Sequence, residues 1–322
     1  MTAVDTARPS VLSRLRARMD WRSNIIYIAF AVVFLLFAVL LGGDGFLSST
    51  NLLNIVRQTA TISIMAVAMT FVIANAEIDL SVGSIAGLSS VVTAMTVTQF
   101  GLVPGILAGL ASGAVVGAIN GGLVAWLKIP SFLVTLGMLG LAAGVAQWIT
   151  SSAPQPITDP IYVMIFGGGD FGPIPGLLVW TAVAVAIGWV VMNRTRYGRR
   201  VLATGGNPNA AAFTGIRTAR IKFMVLLVSG IVAALAGMLY AGRLESGRFQ
   251  WGQGDELTVI AAVILGGTSL FGGRGAIIGT LFGSLFMGLV NNGLILAGLD
   301  VAQQQVVRGA IIIAAVALSR KK

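Results

Sequence analysis

Ten apolar runs constrain this chain more than any other feature, because most of them approach the length needed to cross a bilayer. A helix needs about 20 apolar residues to cross the hydrocarbon core. The runs lie at residues 25–41, 55–74, 82–99, 102–126, 132–150, 174–192, 223–242, 257–266, 276–297 and 304–318. Only 10% of the residues are charged, against about 25% in soluble domains. We therefore predict an all-α polytopic membrane protein with about ten transmembrane helices.

The eighth run is too short to cross the membrane as a regular helix. It either extends back through Asp255 and Glu256 or is broken within the segment 257–275. A second break is predicted near residues 75–83, where a polar turn separates the second run from the third.

The basic residues are distributed unevenly along the chain. There are 21 Lys and Arg against 11 Asp and Glu, a net charge of +10. With the N-terminus inside, most basic residues fall in inner segments and most acidic residues in outer ones, as cytoplasmic loops require. We predict cytoplasmic termini, a basic N-terminal segment at 1–24, and one transmembrane domain at 25–322 with a central cytoplasmic segment at 193–222. The positive charge therefore needs no nucleic-acid partner to explain it.

Glycines recur every four residues in two of the runs. They are Gly105, Gly109, Gly113, Gly117 and Gly121 in the fourth run, and Gly275, Gly279 and Gly283 at the start of the ninth. Such a ridge of hydrogens lets two helix backbones approach closely in a membrane. The pattern predicts tight helix packing, with both helices inside the bundle rather than facing lipid.

Two carboxylates lie in the polar turn after the second run. Glu77 and Asp79 have no basic residue near them in sequence, and ionisable groups at membrane depth often mark a substrate or ion path. Asp79 or Ser81 also suits the N-cap of the third helix, and the two interpretations are compatible. Other intramembrane polar residues mostly hydrogen-bond between helices, and only some line a path. The candidates for a translocation path or gate are Asn75, Glu77, Asp79, Ser81, Asn120, Asn291 and Asn292.

The central segment Arg194–Lys222 has seven basic residues and no acidic one. Within it, Asn207 suits an N-cap, Pro208 the first helical position, and Gly215 the C-terminal cap. We predict a helix of about two turns presented on a basic loop. Such a segment is either a charged tether that fixes topology or a docking element, and the helix punctuation favours docking.

Several kinds of chemistry are excluded by the composition. Cysteine and histidine are both absent, which removes thiol and imidazole catalysis and imidazole metal sites. The glycine-rich stretch 266–275 lacks the Gly-Lys-Ser/Thr ending of a phosphate-binding loop, so any ATP is bound by another subunit. We expect no metal, no cofactor and no enzymatic activity.

The proline-rich loop 151–175 is predicted to lie outside, with a short surface or re-entrant piece at 161–166.

Three stretches together resemble the membrane-spanning permeases of bacterial ABC importers for monosaccharides, of the ribose permease type. They are Glu77–Ser84, Gly205–Ala211 and Ile264–Gly275. Their order and the number of runs agree with that family over essentially the whole chain. One departure stands out, because the family usually has a Gly-Gly pair where this chain has Ala76 and Glu77.

The resemblance implies a multi-pass protein of the bacterial inner membrane that imports a pentose, hexose or related polyol. It also implies three partners: a cytoplasmic ATP-binding cassette subunit, an extracytoplasmic sugar-binding protein, and a second permease copy, identical or closely related. The helix 207–214 matches the family's coupling element, which seats on the ATP-binding subunit. The residues that would couple to that subunit are Gly205, Gly206, Asn207, Pro208, Asn209, Ala210 and Gly215.

Two other functions fit the residues less well. An ion-coupled secondary transporter would use Glu77 and Asp79 as coupling carboxylates and the short eighth run as a discontinuous helix. Against it, the chain offers few buried ionisable groups and no histidine. A membrane scaffold without transport would leave the polar interruptions of the apolar runs unexplained.

Overall fold

The computed structural model describes residues 21–170, 172 and 175–319 and is almost entirely helical. The long helices are α1 (Trp21–Leu40), α2 (Ser49–Ala74), α3 (Val82–Phe100), α4 (Leu102–Ala125), α5 (Ser131–Thr150), α7 (Gly176–Arg194), α10 (Thr218–Arg243), α12 (Ile277–Leu296) and α13 (Val301–Ser319). The shorter helices are α6 (Pro160–Val163), α8 (Arg196–Gly206), α9 (Pro208–Phe213) and α11 (Asp255–Leu265). Most of the basic N-terminal segment and the last three residues lie outside the described residues.

Each of the ten predicted runs contains a helix, which confirms an all-α polytopic membrane protein. Within the described residues, seven of these helices are long and apolar enough to cross a membrane. The count of ten crossings and the cytoplasmic position of the termini remain predictions. The eighth run begins at Asp255, so it does extend back through Asp255 and Glu256. With 11 residues it is only about 16 Å long, roughly half the hydrocarbon thickness.

Helices α2 and α3 occupy the centre of the bundle and are buried over most of their length. Their apolar residues, among them Met69, Ile73 and Ile85, have essentially no exposed surface. A helix that is apolar on every side is stable only where other helices surround it or where it faces lipid. Around this centre, α1, α5 and α7 expose large apolar side chains such as Val39, Leu136 and Ile187, as lipid contact requires.

The glycine ridge of α4 packs against α10. A Cβ added to Gly113 would collide with the carbonyl of Gly230, and one added to Gly117 would lie 2.8 Å from the carbonyl oxygen of Leu226. The prediction that α4 lies wholly inside the bundle is wrong, however. Its opposite face exposes Leu107 and Val115, because a ridge of hydrogens buries only the side of the helix that carries it.

The second glycine ridge brings α12 against α11. A Cβ on Gly279 would overlap the backbone of Gly266, and one on Gly283 would overlap the carbonyl of Ala262. This close approach seats the short helix α11 against a long one. It also fixes the glycine-rich loop 266–276 that joins the two helices.

The proline-rich loop 151–175 is anchored by side chains rather than by a long helix. It forms α6 and a π-helical turn at Met164–Gly168, where the sequence predicts a short surface or re-entrant piece. A two-residue strand β1 (Gln155–Pro156) pairs antiparallel with β2 (Ser246–Gly247). The buried Tyr162 hydroxyl donates to the carbonyl of Met238 at 2.9 Å. The loop therefore lies at the same end of the bundle as the end of α10.

Candidate functional site

Two of the stretches that carry the family resemblance, Gly205–Ala211 and Ile264–Gly275, meet at Ala74–Ala76, directly before the third stretch, at one end of the bundle. We call this meeting point the glycine junction: the turn 74–81, Gly205–Gly206 at the end of α8, and the loop 266–276. A Cβ added to Gly205 would overlap the carbonyl oxygen of Ala74. The backbone N–H of Gly273 donates to that same oxygen at 2.9 Å. At this contact backbone meets backbone, with no side chain between Gly205, Ala74 and Gly273.

The loop of the junction is held in one conformation by its own glycines and hydrogen bonds. Gly272 and Gly273 adopt φ values of 77° and 76°, which glycine tolerates best. The hydroxyl of Thr268 accepts a hydrogen bond from the backbone N–H of Ala276 at 3.1 Å, closing the loop across its base. Gly273 can therefore hold its bond to Ala74 as part of a rigid element.

Helix α8 precedes the predicted helix and was missed from the sequence, where the basic stretch suggested a loop. The Thr195 side chain accepts a hydrogen bond from the N–H of Gly198 and caps the helix. Tyr197, Val201 and Thr204 form its inward face, and Tyr197 stacks on Phe71 of α2 with ring centroids 6.4 Å apart. The arginines on the other side of α8 are exposed: Arg196, Arg199 and Arg200.

Helix α9 forms where the sequence predicts it, with the predicted caps. The Asn207 side chain accepts from the N–H of Ala210 at 3.0 Å, and Pro208 occupies the first turn. Gly215 follows with φ at 83°. Nearly the whole segment is exposed, with Ala211 as its buried contact, and Phe213 is 94% exposed. A capped helix that carries a solvent-exposed phenylalanine is suited to binding another protein.

Asp79 is fully buried and takes part in a hydrogen-bond network. Its carboxylate accepts from the Ser81 backbone at 3.0 Å, from the Ser81 hydroxyl at 2.6 Å and from the Ser229 hydroxyl at 2.7 Å. The Asn120 amide donates to Ser81 at 2.9 Å. The turn that carries Asp79 lies between two candidate spans and belongs to neither. Burial raises the pKa of Asp79 above its ordinary value, and the hydrogen bonds from Ser81 and Ser229 offset part of that shift.

This network changes the N-cap interpretation of the acidic turn. Ser81 occupies the cap position of α3 but makes no side-chain cap bond. Asp79 instead accepts from the N–H of Ser81 itself, whereas a standard cap at Ser81 would accept from the N–H of Gly83 or Ser84. The network ties the turn to α4 and α10. Within the described residues it leaves the buried amide oxygen of Asn120 without a hydrogen-bond partner.

Glu77 forms an ion pair with Lys222 at the start of α10. Sequence neighbours offered no basic partner, and the fold supplies one from the central segment. Its neighbour Ala76 has φ at 61°, a left-handed conformation that favours glycine. The family's usual glycine at this position is therefore explained by backbone geometry. Asn75 is buried, and its side-chain amide has no hydrogen-bond partner among the described residues.

Asn291 and Asn292 are adjacent in sequence, but their side chains lie in different environments. Asn292 exchanges two hydrogen bonds with Asn51 of α2, at 3.0 and 2.9 Å, and joins α12 to α2. Asn291 lines a cavity of about 200 Å³ near the opposite end of the bundle from the glycine junction. The seven path candidates therefore lie in separate places, with Asn291 and Asn292 away from the acidic turn.

Several partners were missed from the sequence because they come from distant segments. Lys222, Ser229 and Asn51 pair with candidates far away along the chain, and nothing local signals such pairings. Phe213 could have been found, since an apolar residue in a short helix between basic flanks is conspicuous. Among the described residues, no cluster of three His, Cys, Asp or Glu could hold a metal ion.

Comparison with known proteins supplies the family. A family model described as branched-chain amino acid transport system / permease component matches residues 51–316. The ribose import permease protein RbsC of Bacillus subtilis is 44% identical, covering 86% of this chain and 87% of that protein. The fructose import permease protein FrcC of Rhizobium meliloti is 38% identical over 88% and 81%. The L-arabinose transport system permease protein AraH of Escherichia coli is 36% identical over 94% and 92%. No solved structure matches the chain.

These matches confirm the resemblance to ribose-type permeases and the prediction of a transport subunit in the inner membrane. They give no support to the ion-coupled alternative. In the structure, Glu77 is paired with Lys222, and Asp79 is hydrogen-bonded to Ser81 and Ser229, so neither carboxylate is free for that role. A permease component of this kind works with a separate ATP-binding subunit and a periplasmic binding protein. The chain belongs to the family of branched-chain amino acid transport system / permease components, as a multi-pass membrane subunit.

Proposed function

We propose that this chain is the permease subunit of an ATP-driven importer for a monosaccharide, namely a pentose, a hexose or a related polyol. The family description names branched-chain amino acids, but the curated relatives at 36–44% identity carry the names of ribose, fructose and L-arabinose. Each of these relatives matches over most of its own length. That similarity favours a sugar over an amino acid.

Helix α9 is the proposed contact with the ATP-binding subunit. The observation that carries this assignment is the 94% exposure of Phe213 on a helix that is capped at both ends. Large side chains that are bare in one chain are typical anchors of an interface. The exposed arginines beside it, such as Arg217 and Arg220, suit an acidic groove or lipid headgroups.

The glycine junction is the proposed route by which motion of α9 reaches the bundle. Asn207 directly follows Gly205 and Gly206, so a displacement of α9 pulls on the end of α8. Gly205 lies against the backbone of Ala74, and Gly273 is bonded to the same carbonyl. Contacts without flexible side chains pass on a rigid-body shift with little loss. The ends of α2 and of the α11–α12 connection would therefore move together.

A second permease copy, identical or closely related, would complete the pathway. The candidate residues of one chain lie in separate places, and Asp79, Ser81 and Asn120 are occupied with one another. A continuous path for the solute then needs residues from a second permease chain to line its other side. Since the chain contains no cysteine, single cysteines on the exposed faces of α5 and α7 would test this by cross-linking without background.

The same absence of cysteine allows a direct test of topology. Cysteines placed at Phe213 and at Ser152 should react with a membrane-impermeant reagent from opposite sides of the membrane. Phe213 should react only in inside-out vesicles and Ser152 only in intact spheroplasts. Labelling of both positions from one side would contradict the proposed orientation of the central segment.

Substitution of Phe213 is the sharpest test of coupling. Asn207→Arg and Pro208→Leu should also abolish uptake, but both alter the helix cap, so loss of α9 would confound them. Phe213→Ala removes no internal contact and should weaken binding of the ATP-binding subunit by roughly tenfold or more, with ATP-dependent uptake falling in parallel. Phe100→Ala, at an exposed phenylalanine that ends α3, is the matched control. Unchanged subunit affinity and uptake in Phe213→Ala would refute the assignment.

A further inference from the structure

A polar cavity lies near the end of the bundle opposite the glycine junction. Its volume is about 200 Å³. Gln58, which lines the cavity, and Ala74, which belongs to the glycine junction, are both on α2. At 1.5 Å per residue they are about 24 Å apart along the helix. Tyr240 is close to the end of α10, near strand β2. In the predicted orientation this is the outer side. Besides Thr59, whose hydroxyl donates to the carbonyl of Ile55 at 2.8 Å, the residues that carry its polar groups are Gln58, Tyr240, Asp255, Thr258, Asn291 and Arg308.

These polar groups come from five helices and are largely unused by the protein itself. Tyr240 donates to Asp255 at 2.6 Å. Among the described residues, the side chains of Gln58, Thr258 and Asn291 make no hydrogen bond to protein. Two amides and a hydroxyl together offer both donors and acceptors. The bundle has thus gathered hydrogen-bonding capacity at a place where the protein does not satisfy it.

The two charges of the cavity also remain apart. Within the described part of the chain, ion pairs join Arg57 with Asp170 and Lys222 with Glu77, and none joins Arg308 with Asp255. The buried Nε atom of Arg308 has no hydrogen-bond partner. Opposite charges that face one cavity without meeting leave a gap that polar atoms of a ligand can fill. Ionisable groups in a membrane bundle usually mark such a pathway.

We infer that this cavity is a binding subsite for a small neutral polyhydroxy compound, a monosaccharide on its way through the permease. This inference rests on the proposed function and adds a location to it. Amide, hydroxyl, carboxylate and guanidinium groups match the alternating donors and acceptors of vicinal hydroxyls. The volume is below the roughly 300–1,000 Å³ of sites for drug-sized ligands, so the ligand is small. Binding is weak, since a conduit must also release what it binds.

Direct binding to the purified chain tests the subsite. Saturation-transfer NMR with D-ribose as the probe, on the full chain in nanodiscs without partners, should show transfer to the sugar. Gln58→Leu and Thr258→Val should each reduce the signal by about fivefold, the size of one lost hydrogen bond. Thr258→Val keeps the shape of the side chain, so its result does not depend on tolerance of a larger change. Gln147→Leu, at an exposed glutamine of α5 away from the cavity, should leave the signal unchanged.

The outcomes separate this inference from the proposed function. ATP-dependent ribose uptake by the assembled importer, without saturation transfer to the wild-type chain, overturns the subsite and leaves the importer standing. Equal signals in wild type, Gln58→Leu and Thr258→Val overturn it as well, because the sugar then binds elsewhere. A stronger signal from L-leucine than from D-ribose overturns the assignment to a polyhydroxy ligand.

Discussion

The two ends of the bundle use opposite kinds of contact. At the glycine junction, backbone meets backbone at Gly205, Ala74 and Gly273, and no side chain fills the space between. At the polar cavity, side chains from five helices face about 200 Å³ of open volume. The first arrangement leaves no room for an added carbon at Gly205. The second accommodates a solute and tolerates change. The difference supports our proposals of force transfer at one end and solute contact at the other.

The largest effect is expected from one added carbon at the junction. Gly205→Ala places a Cβ onto the carbonyl oxygen of Ala74, and backbone cannot move aside cheaply. Overpacking of this kind costs about 1–3 kcal/mol or more, so ATP-dependent uptake should be lost and the thermal unfolding temperature should fall. The adjacent Gly206→Ala is the control, since its Cβ would lie 3.6 Å from Gly273, an ordinary contact.

The same enlargement at the other end sharpens the contrast. Asn291→Gln adds one carbon to a side chain that faces the cavity, and it should change the free energy of unfolding by no more than about 0.5 kcal/mol. Thermal unfolding of the purified variants in one detergent compares them directly. Equal destabilisation by Gly205→Ala and Asn291→Gln would show that the two ends do not differ in packing tolerance.

The hydrogen-bond networks at the two sites should respond differently to loss of a polar group. Asp79→Leu leaves the hydroxyls of Ser81 and Ser229 buried without their acceptor and should lower the free energy of unfolding by about 3 kcal/mol. Asp79→Asn retains an acceptor oxygen and should cost about 1 kcal/mol. Thr258→Val at the cavity removes a hydroxyl that bonds to no protein group, so its cost should be close to zero.

Denaturation of the three variants in one detergent provides the measurement. Similar losses for Asp79→Leu and Asp79→Asn would mean that the hydrogen bonds of the carboxylate contribute little. A large loss for Thr258→Val would mean that its hydroxyl is bonded within the protein. Either result would remove the distinction between a satisfied network and an open one.

Features that depend on local periodicity were predictable from the sequence. The four-residue glycine spacing predicted the close packing of α4, and Asn207, Pro208 and Gly215 predicted both ends of α9, because caps and ridges are set by neighbours within one helix. Helix α8 was missed although Tyr197, Val201 and Thr204 recur at helical spacing. Its run of arginines, which proved to be only the exposed face, concealed that pattern.

Features that depend on distant segments could not be predicted in this way. The ion pair of Glu77 with Lys222 and the bond of Ser229 to Asp79 join residues of different helices. Their formation follows from how α10 packs against the turn 74–81, which no single stretch encodes. For the same reason the meeting of Gly205 and the loop 266–276 with Ala74 emerged only from the fold.

The smallest expected effect concerns backbone strain and has opposite signs at the two ends. Ala76 in the glycine junction adopts φ of 61°, and Gly254, which caps α11 beside the cavity, adopts φ of 83°. A left-handed conformation costs a residue with a Cβ about 1–2 kcal/mol, partly offset by the greater unfolded-state entropy of glycine. Ala76→Gly should therefore raise the free energy of unfolding by about 0.5 kcal/mol, and Gly254→Ala should lower it by a similar amount.

Steric contact does not obscure the second substitution, since nothing lies within 4 Å of a Cβ on Gly254. Paired thermal melts of Ala76→Gly and Gly254→Ala should thus move in opposite directions. A loss of stability in Ala76→Gly would mean that the alanine methyl contributes packing at the junction. This methyl lies beside Gly272, since a Cβ built on Gly272 would be 2.8 Å from the Cβ of Ala76. If Ala76→Gly is instead more stable but transports more slowly, strain stored at this turn assists the movement that the junction carries.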